Sequence, residues 1–370
     1  MLNTYKNFLK LCNFNCYIEE FDSKSTIVAD DRPWFEKVHD WWDERKEEKE
    51  QRKNRGDDDL DIGEMSKNQK IIAAVIGFIF LNFLIVGSLN IVTDRNFDNI
   101  NTKFEVDLSS KKLKTYLSNS QKGELLTQAI YNQLNRELHT PLGWSVNDIY
   151  ITKYLDNRKN RQKGILFATR MLSIFYSTRL SKLGMTDNEN KNLKTAREKE
   201  LPYGADVWGF FVMSAEGKYI DAINNMKTYE KDLLADKATF NMRSDDVYEL
   251  LRLITGPQLI DQTMGYLIQK NEEVAFNDLD DRMYYAQGVA LVIRDVMHAL
   301  IKIEPSILEK GGKRNISEGL SELDKIVKFN PIFVLRGQHD SMFADHRGKV
   351  ARYLISIDKR IEELMESIRR

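Results

Sequence analysis

The chain is expected to be mainly α-helical, with a single transmembrane helix followed by a large multi-helix globular domain, on three observations. Residues 71–92 read IIAAVIGFIFLNFLIVGSLNIV without one charge. Apolar residues beyond that run recur every three to four positions, and the strict alternation that marks strands is rare. Short connections between the periodic stretches point to helices packed on helices.

The first 30 residues show no sustained period. Pro33 then opens a helical stretch at 33–55, PWFEKVHDWWDERKEEKEQRKNR, because proline suits a first helical turn. Trp34, Val38, Trp41 and Trp42 recur at helical spacing beside interleaved opposite charges. Such a helix lies at a membrane interface or against a partner, or, more plainly, stands in solvent with its aromatics against the rest of the chain. Residues 56–65, rich in Asp, read as a polar linker, so that 1–66 form an N-terminal segment.

The uncharged run spans about 33 Å as a helix, which matches a hydrocarbon core of about 30 Å. Each Ile, Leu, Phe or Val contributes roughly −0.3 to −0.6 kcal/mol near the helix centre, so insertion is favoured even with Asn82 and Asn90 against it. The alternative, a buried helix of a soluble protein, seldom stays uncharged for six turns. A cleavable signal has an apolar region of roughly 7 to 15 residues close to the chain start, whereas here 70 residues precede the run.

Orientation is set by the Lys and Arg residues at the two ends. Arg52, Lys53, Arg55, Lys67 and Lys70 precede the helix, against Arg95, Lys103, Lys111 and Lys112 after it, and Arg45, Lys46 and Lys49 widen the difference. Cys12 and Cys16, the chain's only cysteines, also precede it, which excludes a disulfide framework on its C-terminal side. Two thiols without neighbouring ligands make a poor zinc site. The expectation is a cytoplasmic N-terminus and a helical domain, 95–370, outside the cytoplasm.

Beyond the anchor, 93–114 alternates weakly and reads as a strand or extended stalk. Ser120 is the expected cap of a helix carrying Leu125, Leu126, Ala129, Ile130, Leu134 and Leu138, ended by His139-Thr-Pro-Leu-Gly. A second helix is expected from about 157 to 183 with Gly184 as its stop, then a short charged one over 187–199. Residues 201–213 hold Pro202, Gly204, Trp208 and Gly209, an irregular aromatic loop expected to pack. Further helices are expected over 214–236, from a cap at Ser244 or Asp245 up to Gly256-Pro257, over 280–303 behind Asp278, and over 316–327 and 344–369.

Five stretches carry a family resemblance: GWSVNDI (143–149), FATRMLS (167–173), FNMRSDDVYELL (240–251), DLDDRMYYAQGV (278–289) and VLRGQHDSMFADHRGKVARYLI (334–355). On these the chain resembles a family of bacterial membrane proteins known as domain of unknown function 2333. The 65 N-terminal residues contribute little. The resemblance implies a bacterial inner-membrane protein, so that the 95–370 domain outside the cytoplasm is expected in the periplasm, and it carries over no catalytic or binding residue.

The densest polar cluster is His339, Asp340, Asp345, His346 and Arg347, ahead of the last helix. Imidazoles and carboxylates together suit a divalent metal or an acid–base pair, but seven residues separate the two histidines, about 10 Å along a helix. The plainer reading makes Asp345 a helix cap and its neighbours interhelical contacts. Asp278, Asp280 and Asp281 read as N-terminal carboxylates set by unpaired amides and the helix dipole. Arg170, Arg294 and His298 read as half-buried partners of carboxylates such as Asp295.

Phosphate-binding, dinucleotide-binding and nucleophile-elbow signatures are absent, and no cofactor or metal is expected. The 55 basic residues nearly balance 56 acidic ones in a chain of ordinary 42% hydrophobic content, which argues against a nucleic-acid partner. The expected partners are the lipid bilayer and another envelope protein, bound in a scaffold or assembly role; oligomeric state is open. The alternative is a membrane-tethered hydrolase acting on an envelope polymer through Asp340, Asp345, His339 or His346, since paired acids from distant helices leave no motif. A sensor that relays ligand binding across the membrane has less to support it.

Overall fold

The computed structural model describes residues 40, 43, 44, 46, 47, 50, 51, 67–95, 104, 106, 108, 117–140, 142–148, 156–184, 187–209, 212–268, 278–329, 331, 334, 335, 337 and 345–369. The chain divides into two units, Met1–Ala73 and Ala74–Arg370. In the first, residues 40, 43, 44, 46, 47, 50 and 51 are helical and exposed, and the rest of the helix expected at 33–55 lies outside the described residues. Its aromatic positions Trp34, Trp41 and Trp42 lie outside the described residues, as do Cys12 and Cys16 and most of 93–114.

The uncharged run folds as α1, Lys67–Arg95. Over residues Asn68–Ile85 it is long and apolar enough to cross a membrane, and none of that stretch is buried. Within that stretch the amide of Asn82 satisfies itself: Asn82 Nδ2 donates to the Phe78 carbonyl one turn back, 2.7 Å away. That bond lowers the cost of an amide in hydrocarbon.

After α1 the described residues form helices and loops with no strand. The elements run α2 (Asn119–Leu138), α3 (Asp156–Phe175) extended by a π-helical turn (Tyr176–Leu180), and α4 (Lys191–Thr195) extended by a second (Ala196–Glu200). Then come α5 (Ala215–Leu234), α6 (Ser244–Thr255), α7 (Ile260–Ile268), α8 (Leu279–Ile303), α9 (Ser306–Gly311), α10 (Lys313–Val327) and α11 (His346–Arg369).

Several boundaries differ from the sequence expectation, each for a local reason. Ser118, not Ser120, caps α2, because Gln121 at the third helical position completes a capping box with it. The long second helix stops at Leu180 rather than at Gly184. Thr178 and Ser181 turn their hydroxyls back onto the carbonyls of Ile174 and Ser177, both at 2.7 Å, which loosens the α pattern, and Ser181 N–H reaches the Tyr176 carbonyl five residues back. At α6 the cap position belongs to Arg243, whose N–H donates to Asp246 Oδ2 at 2.9 Å.

The core is built around α8. Every residue from Ala286 to Ile301 is buried, so the helix is covered on all sides rather than along one stripe. Helices α2, α3, α7, α10 and α11 pack against it. The closest approach is to α3, where Gly164 faces the Tyr285 carbonyl and Gly288 faces the Arg161 carbonyl. Only residues without a Cβ allow two backbones so near one another.

The polar side chains that α8 carries into this core each make a hydrogen bond, although Gln287 Oε1 and Asp295 Oδ1 have no hydrogen-bond partner among the described residues. Gln287 donates to the Val327 and Phe329 carbonyls at 2.8 and 3.0 Å. Asp295 Oδ2 accepts from Asn132 at 2.8 Å and Gln133 at 2.6 Å. Arg294 donates to Asp324 on α10, and His298 Nδ1 accepts from Val106 N–H at 3.3 Å. Arg294 thus reaches Asp324 at shorter range than Asp295, which sits 3.8 Å from it. Glu137 on α2 is another buried acid: Gln162 Nε2 donates to it at 3.1 Å and Arg158 lies 3.5 Å away. Although burial works to raise its pKa, the Arg161 and Arg158 guanidiniums outweigh it and hold Glu137 below the usual carboxylate range.

Candidate functional site

At the head of α11, Asp345, His346 and Arg347, the described members of the polar cluster, make structural bonds. Asp345 Oδ1 accepts from Gly348 N–H at 3.0 Å, the bond that caps a helix N-terminus. His346 Nδ1 accepts from Leu335 N–H at 3.1 Å, and the His346 backbone N–H donates back to the Leu335 carbonyl at 3.3 Å. With Nδ1 so used, a neutral His346 ring carries its proton on Nε2, and it meets Phe329 edge-on at 5.5 Å. Arg347 is buried and donates to the Leu267 carbonyl at the end of α7, 3.3 Å away. His339 and Asp340 lie outside the described residues. Among the described residues no group of three His, Cys, Asp or Glu is placed to hold a metal ion.

The acidic entrance to α8 differs from the capping expectation. Asp278 occupies the cap position with no side-chain cap bond, and Arg282 turns away to the Tyr266 carbonyl at 2.7 Å. Helix α3 begins with Asp156 beside these acids. Burial first, then the Asp156 carboxylate and a hydrogen bond to it, push the Asp281 pKa up to about 7. Asp280 is raised too, again first by burial. Two helix N-termini would lower carboxylate pKa values; desolvation and like charge dominate instead.

These shifts set a pH dependence of stability. Burial raises Asp295 and Asp358 to about 6, the first despite its bonds from Asn132 and Gln133, the second with help from Glu362 and Asp261. In each case the folded-state value lies above the unfolded one of about 3.9. The folded chain therefore binds more protons between about pH 4 and 7, and stability falls as pH rises through that window. Glu137, with its lowered value, acts oppositely and loses its contribution on acidification. Thermal unfolding of the detergent-solubilised full chain is expected to occur at higher temperature at pH 5 than at pH 8, and Asp281→Asn is expected to flatten that difference. An unchanged melting temperature between the two pH values would contradict it.

A more open site lies at the far end of α3. Two hollows of about 480 Å³ each share Thr178 and Arg179 on the π turn. The first continues along Lys182, Leu183, Gly184, Asn241, Arg243 and Asp246. The second runs along Glu249, Arg252, Leu253 and Gly256 to Gln258. Asp246 organises the floor: Oδ1 accepts from Arg179 Nε at 2.7 Å while Oδ2 holds the Arg243 N–H. Glu249 lies 2.6 Å from Arg252 and 3.9 Å from Arg179.

The carboxylates are sunk, with side-chain exposures of 4% and 22%, whereas Arg179, Arg243 and Arg252 stand out at 41%, 66% and 64%. The groove thus presents guanidinium groups over fixed acids, an arrangement suited to carboxylates on another molecule. Sequence reasoning did not single out this site. Its acid and its central arginine are 67 positions apart, and the π turn that aims Arg179 has no helical-period signature; the only pointer was that Asn241, Arg243 and Asp246 all fall within the FNMRSDDVYELL stretch.

No curated protein and no solved structure matches the chain. A family match does occur, over residues 66–258. It takes in α1, the stretches at 143–149, 167–173 and 240–251, and both hollows, and it ends before the stretches at 278–289 and 334–355. The match covers more than half of the sequence, and the chain belongs to the family described as "Uncharacterized protein conserved in bacteria (DUF2333)".

Proposed function

We propose that the protein is a single-pass inner-membrane scaffold whose helical domain lies on the periplasmic side and binds another envelope protein. The observation that carries this reading is α1, a helix of membrane-spanning length whose apolar residues are exposed along Asn68–Ile85, continuous in sequence with a well-packed helical domain. The Arg-rimmed groove between the π turn and α6 is the docking site in this account. The bonds that commit Asp345, His346 and Arg347 to holding α11 also favour an interaction role over chemistry at that cluster.

Placing a photo-crosslinking residue at Leu183, which is 71% exposed on the groove rim, is expected to trap one discrete adduct in intact cells. The same residue at Ile355, 52% exposed on α11, is expected to trap none. Uncrosslinked chain alone at both positions would oppose the proposal. A membrane-tethered hydrolase is the second reading, and the Asp156–Asp281 pair favours it, because a carboxyl titrating near pH 7 can serve as a general acid. That pair and the groove sit at opposite ends of α3, roughly 30 Å apart by helical rise, so acid and cleft do not coincide.

A further inference from the structure

The loop between the second π turn and α5 was expected to pack, and its base does. Four alternate carbonyls are captured by donors from helices α3 and α5 and from the 142–148 loop. Arg170 Nε donates to Leu201 O, and its Nη2 to Tyr203 O at 2.8 Å, where Tyr219 OH also donates at 2.7 Å. Buried Trp144 donates to Ala205 O at 2.8 Å, and Asn147 to Val207 O at 3.1 Å. The returning limb is tied as well: Ala215 N–H reaches Val207 O at 3.0 Å and Tyr203 OH reaches Met213 O at 2.9 Å. The two limbs close so tightly that a Cβ on Gly209 would stand 2.7 Å from Ser214 N.

The tip behaves differently. Trp208, Val212 and Met213 are 52%, 57% and 51% exposed, and residues 208–213 carry no charge. Phe210 and Phe211 lie outside the described residues. The fixed base keeps this apolar tip from folding back onto the core, so its side chains are held in water at a cost of about 25 cal/mol per Å². Large exposed apolar side chains grouped in one short loop mark a contact surface, unlike those scattered singly.

We propose that this loop is a second membrane contact, with Trp208, Val212 and Met213 seated in the interfacial layer of the bilayer. The inference rests on the anchored reading of α1. A tethered domain stays at high effective concentration next to lipid, so even a weak second contact is populated. The residues also fit: an indole prefers the headgroup boundary, and Val212 and Met213 bring apolar area with no charge to desolvate. The loop thereby gives the domain a second point of attachment to the membrane besides α1.

Fluorescence quenching in vesicles tests this with the full chain. Trp34, Trp41 and Trp42 are replaced by Phe, leaving Trp208 and Trp144, which is 1% exposed and serves as the buried reference. The protein is reconstituted into phosphatidylcholine vesicles whose acyl chains carry bromine near the headgroup. The expected result is blue-shifted Trp208 emission lost to the brominated lipid and shielded from aqueous iodide, with the quenchable component removed by Trp208→Phe. Quenching by iodide alone would place the loop in water and overturn the inference; quenching by neither agent would place it against protein and overturn it equally. Flotation of the same vesicles separates the two claims: a chain that floats while Trp208 escapes the lipid quencher keeps its anchor and loses the loop contact, whereas a chain that does not float has lost the anchor.

Discussion

Alanine at Gly164 or Gly288 is expected to destabilise the helical domain by about 3 kcal/mol or more, a large share of the roughly 5 to 15 kcal/mol that keeps a domain folded. At Gly164 the added Cβ would stand 2.1 Å from the Tyr285 carbonyl oxygen, and at Gly288 it would stand 2.1 Å from that of Arg161. Overpacking costs about 1 to 3 kcal/mol when side chains move aside. Here both obstacles are backbone, so α3 and α8 must separate, and α8 is the helix on which the rest of the core packs. The helix-propensity gain on replacing glycine, about 1 kcal/mol, does not offset that separation. Gly77→Ala and Gly265→Ala are the controls, since a Cβ at either position meets nothing within 4 Å, and they are expected to be neutral or slightly stabilising. Chemical denaturation of the detergent-solubilised chain measures all four. A wild-type midpoint for Gly164→Ala would mean that the α3–α8 crossing is looser than described.

The helical class was legible because apolar residues repeat at the helical period, and α8 shows where that legibility ends. Its spacing marks one apolar side, yet the residues that would have formed a wet face, Gln287, Arg294, Asp295 and His298, are all buried. Each is bonded to a group far away in sequence, such as Asp324, Gln133 or Val106, and no periodicity announces such a partner. Caps were readable to within about two residues, as Ser118 against Ser120 shows, because a serine, its capping-box partner and the first apolar position must agree.

The candidate site was less legible. Leu335, which occupies His346 Nδ1, lies 11 positions away in sequence, and Asp246, which accepts from Arg179, lies 67 away, so neither pairing shows in a local pattern. The acidic entrance of α8 misled in another way. Carboxylates at a helix start are ordinarily favoured as anions, and only burial together with the neighbouring start of α3, with Asp156, reverses the sign at Asp281. The loop at 201–213 divides the two outcomes: it was expected to pack as an aromatic loop, which holds at its base, whereas Trp208, Val212 and Met213 are exposed.

The anchor carries the largest expected effect. Lys or Arg at the centre of a spanning helix costs about 2.5 to 3.5 kcal/mol each, so Ile79→Lys combined with Phe83→Arg opposes most of the drive for α1 to enter lipid. Both side chains are exposed, at 62% and 72%, and the substitutions leave the packed core of the domain untouched. Alkaline carbonate extraction of cell membranes is the direct measurement. The wild-type chain is expected to stay in the membrane pellet and the doubly charged variant to appear in the supernatant as folded protein. Recovery of the intact wild-type chain in the soluble fraction, at physiological salt and before any alkaline step, would contradict the anchor and with it the proposed place of this protein in the envelope.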